Sequence, residues 1–76
     1  MPSIKPIPTK IFIRIIEEEG FVFDRQGKHK VYTKDGISRP VIIPNHKEVS
    51  KGVIQNTLNT ANIDRKRYFE LLDKFK

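Results

Sequence analysis

Two histidines are the side chains of this sequence best suited to proton transfer. The chain has no cysteine, which excludes thiol catalysis, disulfide scaffolds and zinc sites built on thiolates. His29 and His46 both lie in its middle third. A histidine can take a proton from a ribose 2′-hydroxyl, or give one to the leaving 5′-oxygen of a phosphodiester. The alternative is that His29 is an ordinary exposed strand residue among lysines.

Positive charge is concentrated around these histidines. The chain carries 15 Lys and Arg against 9 Asp and Glu, a net charge of +6. Residues 25–51 hold seven of the cations and two of the carboxylates, so their local charge is +5. A charge of this density is typical of a surface that meets a polyanion, although a solubilising surface is the alternative. We predict that five of these cations bind RNA phosphates: Arg25, Lys28, Lys30, Lys34 and Lys47.

The sequence predicts neither a metal site nor a cofactor. Two histidines, no cysteine and no carboxylates paired at ligand spacing match no metal-binding pattern. The four glycines are isolated, so they form no phosphate-binding loop. No apolar run approaches the roughly 18–20 residues that span a bilayer, and the N-terminus lacks a signal-peptide pattern. We therefore expect a soluble cytoplasmic protein that does not enter a membrane.

The first predicted helix precedes the basic segment, near residues 9–19. Four apolar residues between positions 11 and 16 recur at helical spacing. Thr9 is the predicted N-cap, and Gly20 is the predicted residue after the last turn. Three consecutive glutamates at 17–19 oppose the helix dipole, so we expect them to meet cations from elsewhere in the chain.

A three-stranded antiparallel meander is predicted to follow this helix. Residues 21–23 are aromatic and β-branched, residues 29–33 alternate between two faces, and residues 40–43 form the returning strand. The pair Asp35-Gly36 predicts a type I′ hairpin turn between the second and third strands.

Two further helices complete the predicted fold. Ser50 is the expected N-cap of the first and Asn62 its end, while Asp64 is the expected N-cap of the second. The predicted fold class is α+β, with the order α-β-β-β-α and an additional C-terminal helix. Helices on one face of a three-stranded antiparallel sheet give a double-stranded-RNA-binding-like fold. At this length we expect a single domain over residues 1–76.

The residues resemble the HicA family of bacterial and archaeal toxins, also called the YcfA-like family. The resemblance covers residues 4–63, and residues 64–76 form the extra C-terminal helix beyond it. It depends on the order and spacing of five segments: Glu19-Gly20-Phe21, Arg25-Gln26-Gly27-Lys28-His29-Lys30-Val31-Tyr32, Asp35-Gly36, Val41-Ile42-Ile43-Pro44-Asn45-His46, and Lys51-Gly52-Val53-Ile54 with Leu58 and Ala61-Asn62-Ile63.

This resemblance implies a small ribonuclease that cleaves mRNA without a metal, arrests translation and is neutralised by a cognate HicB antitoxin. The family's active histidine follows a glycine and a Ser or Thr, a stretch that falls here on Gly27-Lys28-His29. His29 is therefore the implied acid/base. Lys28 replaces the family hydroxyl, which predicts weakened activity, although a lysine there can itself contact phosphate. His46 matches a frequent family histidine and is the second catalytic candidate.

Two other functions fit the same residues. The chain can be a non-catalytic RNA-binding module of the same fold, since such folds recognise RNA by shape and phosphate contacts without chemistry. It can also be a small adaptor whose basic face meets an acidic protein partner. Growth arrest on expression, and cleavage of RNA, separate the toxin from both alternatives.

Overall fold

The computed structural model describes residues 3–75. The elements in chain order are β1 (Ile7–Pro8), α1 (Thr9–Glu18), β2 (Val22–Gln26), β3 (His29–Thr33), β4 (Val41–Pro44), β5 (Glu48–Val49), α2 (Lys51–Ala61) and α3 (Arg65–Phe75). Strands β2, β3 and β4 form an antiparallel sheet in that order. The predicted α+β fold, α-β-β-β-α with an additional C-terminal helix, is confirmed.

Helix α1 begins without a side-chain cap. Pro8 occupies the N-cap position, and Thr9 is buried in the first turn. The predicted Thr9 cap is therefore wrong: its hydroxyl donates a hydrogen bond to the backbone carbonyl of His46 instead of accepting one from its own helix. The end of the helix agrees with the prediction, because Gly20 follows with a φ of +100°, a value that favours glycine.

The glutamates at the end of α1 join it to α3. Lys74 Nζ donates to Glu18 Oε1 at 2.5 Å, and Arg67 Nε donates to Glu19 Oε1 at 2.6 Å. The hydrogen bond and charge of Lys74 lower the pKa of the Glu18 carboxyl. Glu19 in turn raises the pKa of the Arg67 guanidinium. The expectation that these acids meet cations from elsewhere is confirmed for these two.

The turns of the sheet differ from the prediction. Strand β2 extends to Gln26 instead of ending at residue 23, and it carries a bulge between Phe23 and Arg25. The type I′ turn predicted after β3 is wrong. A hydrogen bond from Ile37 N to the Lys34 carbonyl closes a turn there, but of its two central residues only Gly36 has a positive φ, as in a type II turn.

A second, two-stranded ladder was not predicted from the sequence. Ile7 of β1 pairs with Val49 of β5, and Pro8 pairs with Glu48, in antiparallel register. Pro6 and Pro8 favour an extended chain in this segment, because proline cannot join the interior of a helix. The ladder holds that segment against the chain that links β4 to α2.

The two C-terminal helices have the predicted caps. The Ser50 hydroxyl accepts a hydrogen bond from Val53 N, and Asn62 ends α2 in the left-handed region with a φ of 60°. The Asp64 carboxylate accepts one from Arg67 N at the start of α3. Among the described residues, no helix has the length and apolar content to cross a membrane.

The hydrophobic core lies between one face of the sheet and the three helices. The sheet contributes Tyr32, Val41 and Ile43 to it. The helices contribute Phe12, Ile15, Ile16, Ile54, Leu58, Ala61, Tyr68 and Leu71. Each fully buried Val, Leu, Ile or Phe side chain stabilises the fold by about 1.5–3 kcal/mol. We call the sheet face that carries Tyr32 the inner face and the opposite one the outer face.

Candidate functional site

His29 is exposed and stands at the first residue of β3. It pairs in register with Pro44, the last residue of β4. Side chains alternate along a strand, so His29 shares the outer face with Val31, because Tyr32 points into the core. The imidazole of His29 is therefore open to solvent at the end of the sheet.

The turn that precedes His29 is fixed by two hydrogen bonds. Gly27 N donates to the His29 carbonyl at 3.1 Å, closing the turn between β2 and β3. Asn45 Nδ2 donates to the Lys28 carbonyl at 2.8 Å. The second bond ties the turn to the loop that follows β4. Lys28, at the tip of the turn, is exposed.

His46 belongs to this same loop, two residues beyond the partner of His29. Its backbone carbonyl accepts the hydrogen bond from Thr9 Oγ1 at 2.5 Å, and the Lys47 carbonyl accepts one from Thr9 N at 2.8 Å. The start of α1 therefore anchors the loop. The side chains of His46 and Lys47 are exposed and line an open depression beside Ser50, the cap of α2; Glu48 lines it too.

The predicted RNA-binding cations do not form one cluster. Lys28 and Lys47 lie in the turn and the loop that Asn45 connects. Arg25 pairs with Val31 and so extends from the outer face, where it makes a loose ion pair with Asp24 at 3.5 Å. These three cations lie at or near the end of the sheet that carries His29.

Neither of the other two predicted contacts extends from the outer face beside this histidine. Lys30 is half-buried and pairs with Ile43, a core residue, so it extends from the inner face. Lys34 follows the opposite end of β3, about 16 Å along the strand from His29 at roughly 3.3 Å per residue. Its amino group lies 5.8 Å from the centre of the Phe21 ring.

Two residues whose hydrogen bonds position the turn before His29 and the loop that bears His46 were not predicted from the sequence. Asn45 was named only as part of the fourth segment of the family resemblance, and Thr9 was predicted only as a helix cap. Both make hydrogen bonds to partners far along the chain, 17 residues away for Asn45 and 37 for Thr9. No local pattern indicates such partners. In residues 3–75, moreover, no three His, Asp or Glu side chains come close enough together to hold a metal ion.

The fold and this arrangement define a class of protein. A small α+β chain in which the helices cover one face of a three-stranded antiparallel sheet has a double-stranded-RNA-binding-like fold. A family model described as the HicA toxin of bacterial toxin-antitoxin matches residues 9–63, more than half of the chain. The chain belongs to the HicA toxin family, and it is thereby a toxin of a toxin-antitoxin system with a cognate antitoxin as its partner.

The matched region contains both histidines and runs from the start of α1 to Ile63, two residues after the end of α2. Helix α3 lies beyond it. Searches of curated proteins and of solved structures returned no match.

Proposed function

We propose that this toxin is an endoribonuclease that cleaves mRNA without a metal, with His29 as its acid/base and His46 as the second histidine. The observation that carries the proposal is the placement of His29: exposed, at a strand end, next to a turn that Asn45 ties to the loop bearing His46. Geometry of this kind presents two proton-transfer groups near one surface. Both histidines lie in the region that matches the toxin family.

The proposed reaction is an attack by the RNA on its own backbone. One imidazole removes the proton of a ribose 2′-hydroxyl, and the 2′-oxygen then forms a bond to the adjacent phosphorus. The bond from phosphorus to the 5′-oxygen breaks, and that oxygen receives a proton from a protonated imidazole. The products are a 2′,3′-cyclic phosphate and a free 5′-hydroxyl.

Cations hold the phosphate in this proposal. Lys28 and Lys47 are exposed, and each directly adjoins one of the two histidines in the chain; Arg25 extends from the same sheet face as His29. Cations and hydrogen-bond donors that are already in position before the reaction stabilise the negative charge that develops in the transition state. Lys30, which extends from the inner face, and Lys34, beyond the far end of β3, are assigned to phosphates upstream or downstream of the cleaved bond.

A second candidate function is a non-catalytic RNA-binding module. The observation that favours it is Lys28, which stands where the resemblance implies a Ser or Thr hydroxyl. Such a module would keep the phosphate contacts and lose the chemistry. The two candidates differ in one measurable property, the appearance of cleaved RNA.

The test compares the purified wild type with His29→Ala, with Gln55→Ala as a control on an exposed position of α2. We expect His29→Ala to lose about 10²–10⁴-fold in cleavage rate, the contribution of one acid/base group. Gln55→Ala should cleave at the wild-type rate. Circular dichroism establishes that each variant is folded. Full activity in folded His29→Ala would exclude the mechanism, and no cleavage by the wild type would favour the RNA-binding module.

A further inference from the structure

Phe23 presents an aromatic ring to solvent on the edge strand β2. Among residues 3–75 it is the one aromatic residue that is more than half exposed, at 53%. All five residues of β2 are exposed, whereas α2 packs against β4 at the opposite edge of the sheet. The helices therefore leave the β2 edge of the inner face open to solvent.

A neighbouring aromatic residue supports this ring. Phe23 pairs in register with Tyr32, so both side chains extend from the inner face. The two rings meet edge to face, with their centres 5.7 Å apart and their planes at 74°, an arrangement that aromatic pairs prefer. Tyr32 is only 5% exposed and belongs to the core. The exposed ring of Phe23 thus packs on a side chain that is itself fixed.

Two lysines lie on either side of this aromatic pair. Lys30 stands two residues before Tyr32 and Lys34 two residues after it, and side chains two residues apart along a strand share a face. The amino group of Lys34 lies 5.8 Å from the centre of the ring of Phe21, a core residue, which also places it on the inner side. At roughly 3.3 Å per residue the lysines are about 13 Å apart along the strand, with Phe23 beside the midpoint.

The charges near the ring are mixed, with cations in excess. Burial, and then the negative charge of Glu17, raises the pKa of the Tyr32 hydroxyl, so one carboxylate lies near the aromatic pair. The carboxylate of Asp24 makes its loose ion pair with Arg25. The two lysines outnumber the carboxylate of Glu17, which leaves the surroundings of the ring net positive.

An exposed ring between two cations is suited to a nucleotide. Proteins that bind single-stranded nucleic acid combine cations along the phosphate backbone with aromatic side chains on which bases stack. Positive charge alone would also attract an acidic peptide. The face of an aromatic ring is electrostatically negative, however, so it offers nothing to a carboxylate. The combination therefore favours RNA over an acidic protein segment.

We propose that Phe23 is a stacking site for one base of the RNA, with Lys30 and Lys34 on the phosphates at either side of that nucleotide. This inference rests on the proposed function, because it takes RNA as the substrate. Every base can stack on a ring, so the site positions the RNA without selecting a sequence. It also gives a reason why two lysines on the face opposite to His29 contact the same RNA. The RNA passes around the β2 edge, beside which the described chain has no further strand.

The test measures fluorescence anisotropy of a short single-stranded RNA with the His29→Ala protein as the parent, so that binding is observed without cleavage. Phe23→Leu keeps an apolar side chain and removes the ring. We expect its affinity to fall about 5- to 100-fold, the contribution of one stacked base. Phe23→Trp restores a ring and should bind at least as tightly as the parent. Val22→Ala is the matched control, because Val22 is exposed on the same strand but extends from the outer face; it should bind like the parent.

Two further measurements separate stacking from a merely structural effect. Stacking releases no counterions, so Phe23→Leu should lower the affinity and keep the salt slope, whereas Lys30→Ala should flatten the slope. The chain contains no tryptophan, so Phe23→Trp introduces a single indole, whose fluorescence should be quenched when RNA is added. Circular dichroism establishes that each variant is folded.

Equal RNA affinity of Phe23→Leu and its parent would overturn the inference, as would a parent that does not bind RNA. Indole fluorescence in Phe23→Trp that saturating RNA leaves unchanged would do the same. Self-association of the wild type that Phe23→Leu abolishes, with RNA affinity unchanged, would make a second copy the occupant.

Cleavage by proteins that retain His29 is assayed separately, which distinguishes failure of this inference from failure of the ribonuclease proposal. RNA binding that depends on Phe23, together with no cleavage by the wild type, would support the stacking site and contradict the ribonuclease. Cleavage that depends on His29, together with RNA binding that does not depend on Phe23, would do the reverse.

Discussion

The side-chain amide of Asn45 donates a hydrogen bond to the backbone carbonyl of Lys28 across 2.8 Å. This contact joins the turn before His29 to the loop that carries His46. It is exposed, so it adds little to overall stability compared with a buried contact. Its importance lies in position: it fixes the two segments that bear the proposed acid/base groups relative to each other.

Asn45→Ala should therefore impair cleavage more than folding. A hydrogen bond of this kind contributes about 0.5–1.5 kcal/mol, so we expect kcat to fall roughly 3- to 10-fold with KM almost unchanged. Steady-state kinetics on a short RNA measure both constants. Asn56→Ala, an exposed asparagine of α2, is the control and should behave as the wild type. Unchanged kcat in Asn45→Ala would show that the contact does not position the site.

Cleavage should survive an excess of EDTA and leave a 2′,3′-cyclic phosphate. Histidine acid/base chemistry with the 2′-hydroxyl as nucleophile produces this end without a metal. Mass spectrometry of the products identifies it. An RNA with a single 2′-deoxy ribose at the cleaved position is the control substrate and should stay intact. Activity that EDTA removes, and that only added Mg²⁺ or Mn²⁺ restores, would contradict the mechanism.

RNA affinity should depend steeply on salt. If four or five of the seven cations in residues 25–51 contact a single strand, log affinity should fall against log salt with a slope of about −3, at roughly −0.7 per contact. Fluorescence anisotropy in a His29→Ala background measures binding without cleavage. Lys28→Ala and Lys30→Ala should each flatten the slope by somewhat under one unit, and weaken different RNA sequences alike.

Lys66→Ala tests whether the flatter salt dependence is specific to lysines of the basic segment. Lys66 is an exposed cation of α3, beyond the basic segment. Its loss should leave the slope unchanged. If the Lys28 variant keeps the wild-type slope, or changes sequence preference alone, these lysines do not act as phosphate contacts.

The ion pair between Glu18 and Lys74 should make stability depend on acid pH. Lys74 lowers the pKa of the folded Glu18 carboxyl below its ordinary value of 4.5. A carboxyl with a lowered folded pKa stabilises the fold above its unfolded pKa, and this stabilisation is lost as pH falls through the folded value. We expect Lys74→Ala to unfold more easily at neutral pH and to lose less stability below about pH 4.5.

Urea denaturation of wild type, Lys74→Ala and Lys66→Ala over a series of pH values measures this dependence. Lys66→Ala should follow the wild-type profile, because Lys66 does not contribute to the lowered pKa of Glu18. Parallel profiles for the wild type and Lys74→Ala would show that the pair does not stabilise the folded state.

Much of the fold could be predicted from the sequence because it depends on near neighbours. Helical spacing of apolar residues located all three helices, and the caps Ser50 and Asp64 make the predicted hydrogen bonds to backbone groups three residues away. The alternation of β3 placed His29 and Tyr32 on opposite faces, as observed. Such features depend on residues only a few positions apart, so every group that takes part in them can be read from a short stretch of sequence.

The wrong predictions concern residues whose structure depends on segments far along the chain. Thr9 matched the N-cap pattern, but its hydroxyl bonds to the carbonyl of His46, which the chain brings back after 37 residues. The turn at Asp35-Gly36 matched the hairpin pattern. It lies, however, in a connection spanning residues 34–40, which is too long to require a two-residue turn.

The sequence by itself determined the order of the three helices and of the three strands of the main sheet, the charge of the basic segment and the two histidines that can transfer protons. Tertiary structure alone decided which of these residues meet. It brought the His46 loop to the turn before His29 through Asn45, left Lys34 at the far end of β3, and exposed Ile42 beside Val31 on the outer face. The physical reason is that side-chain chemistry and periodicity belong to individual residues and their near neighbours. Contacts between segments exist only once the chain has returned on itself and buried its core.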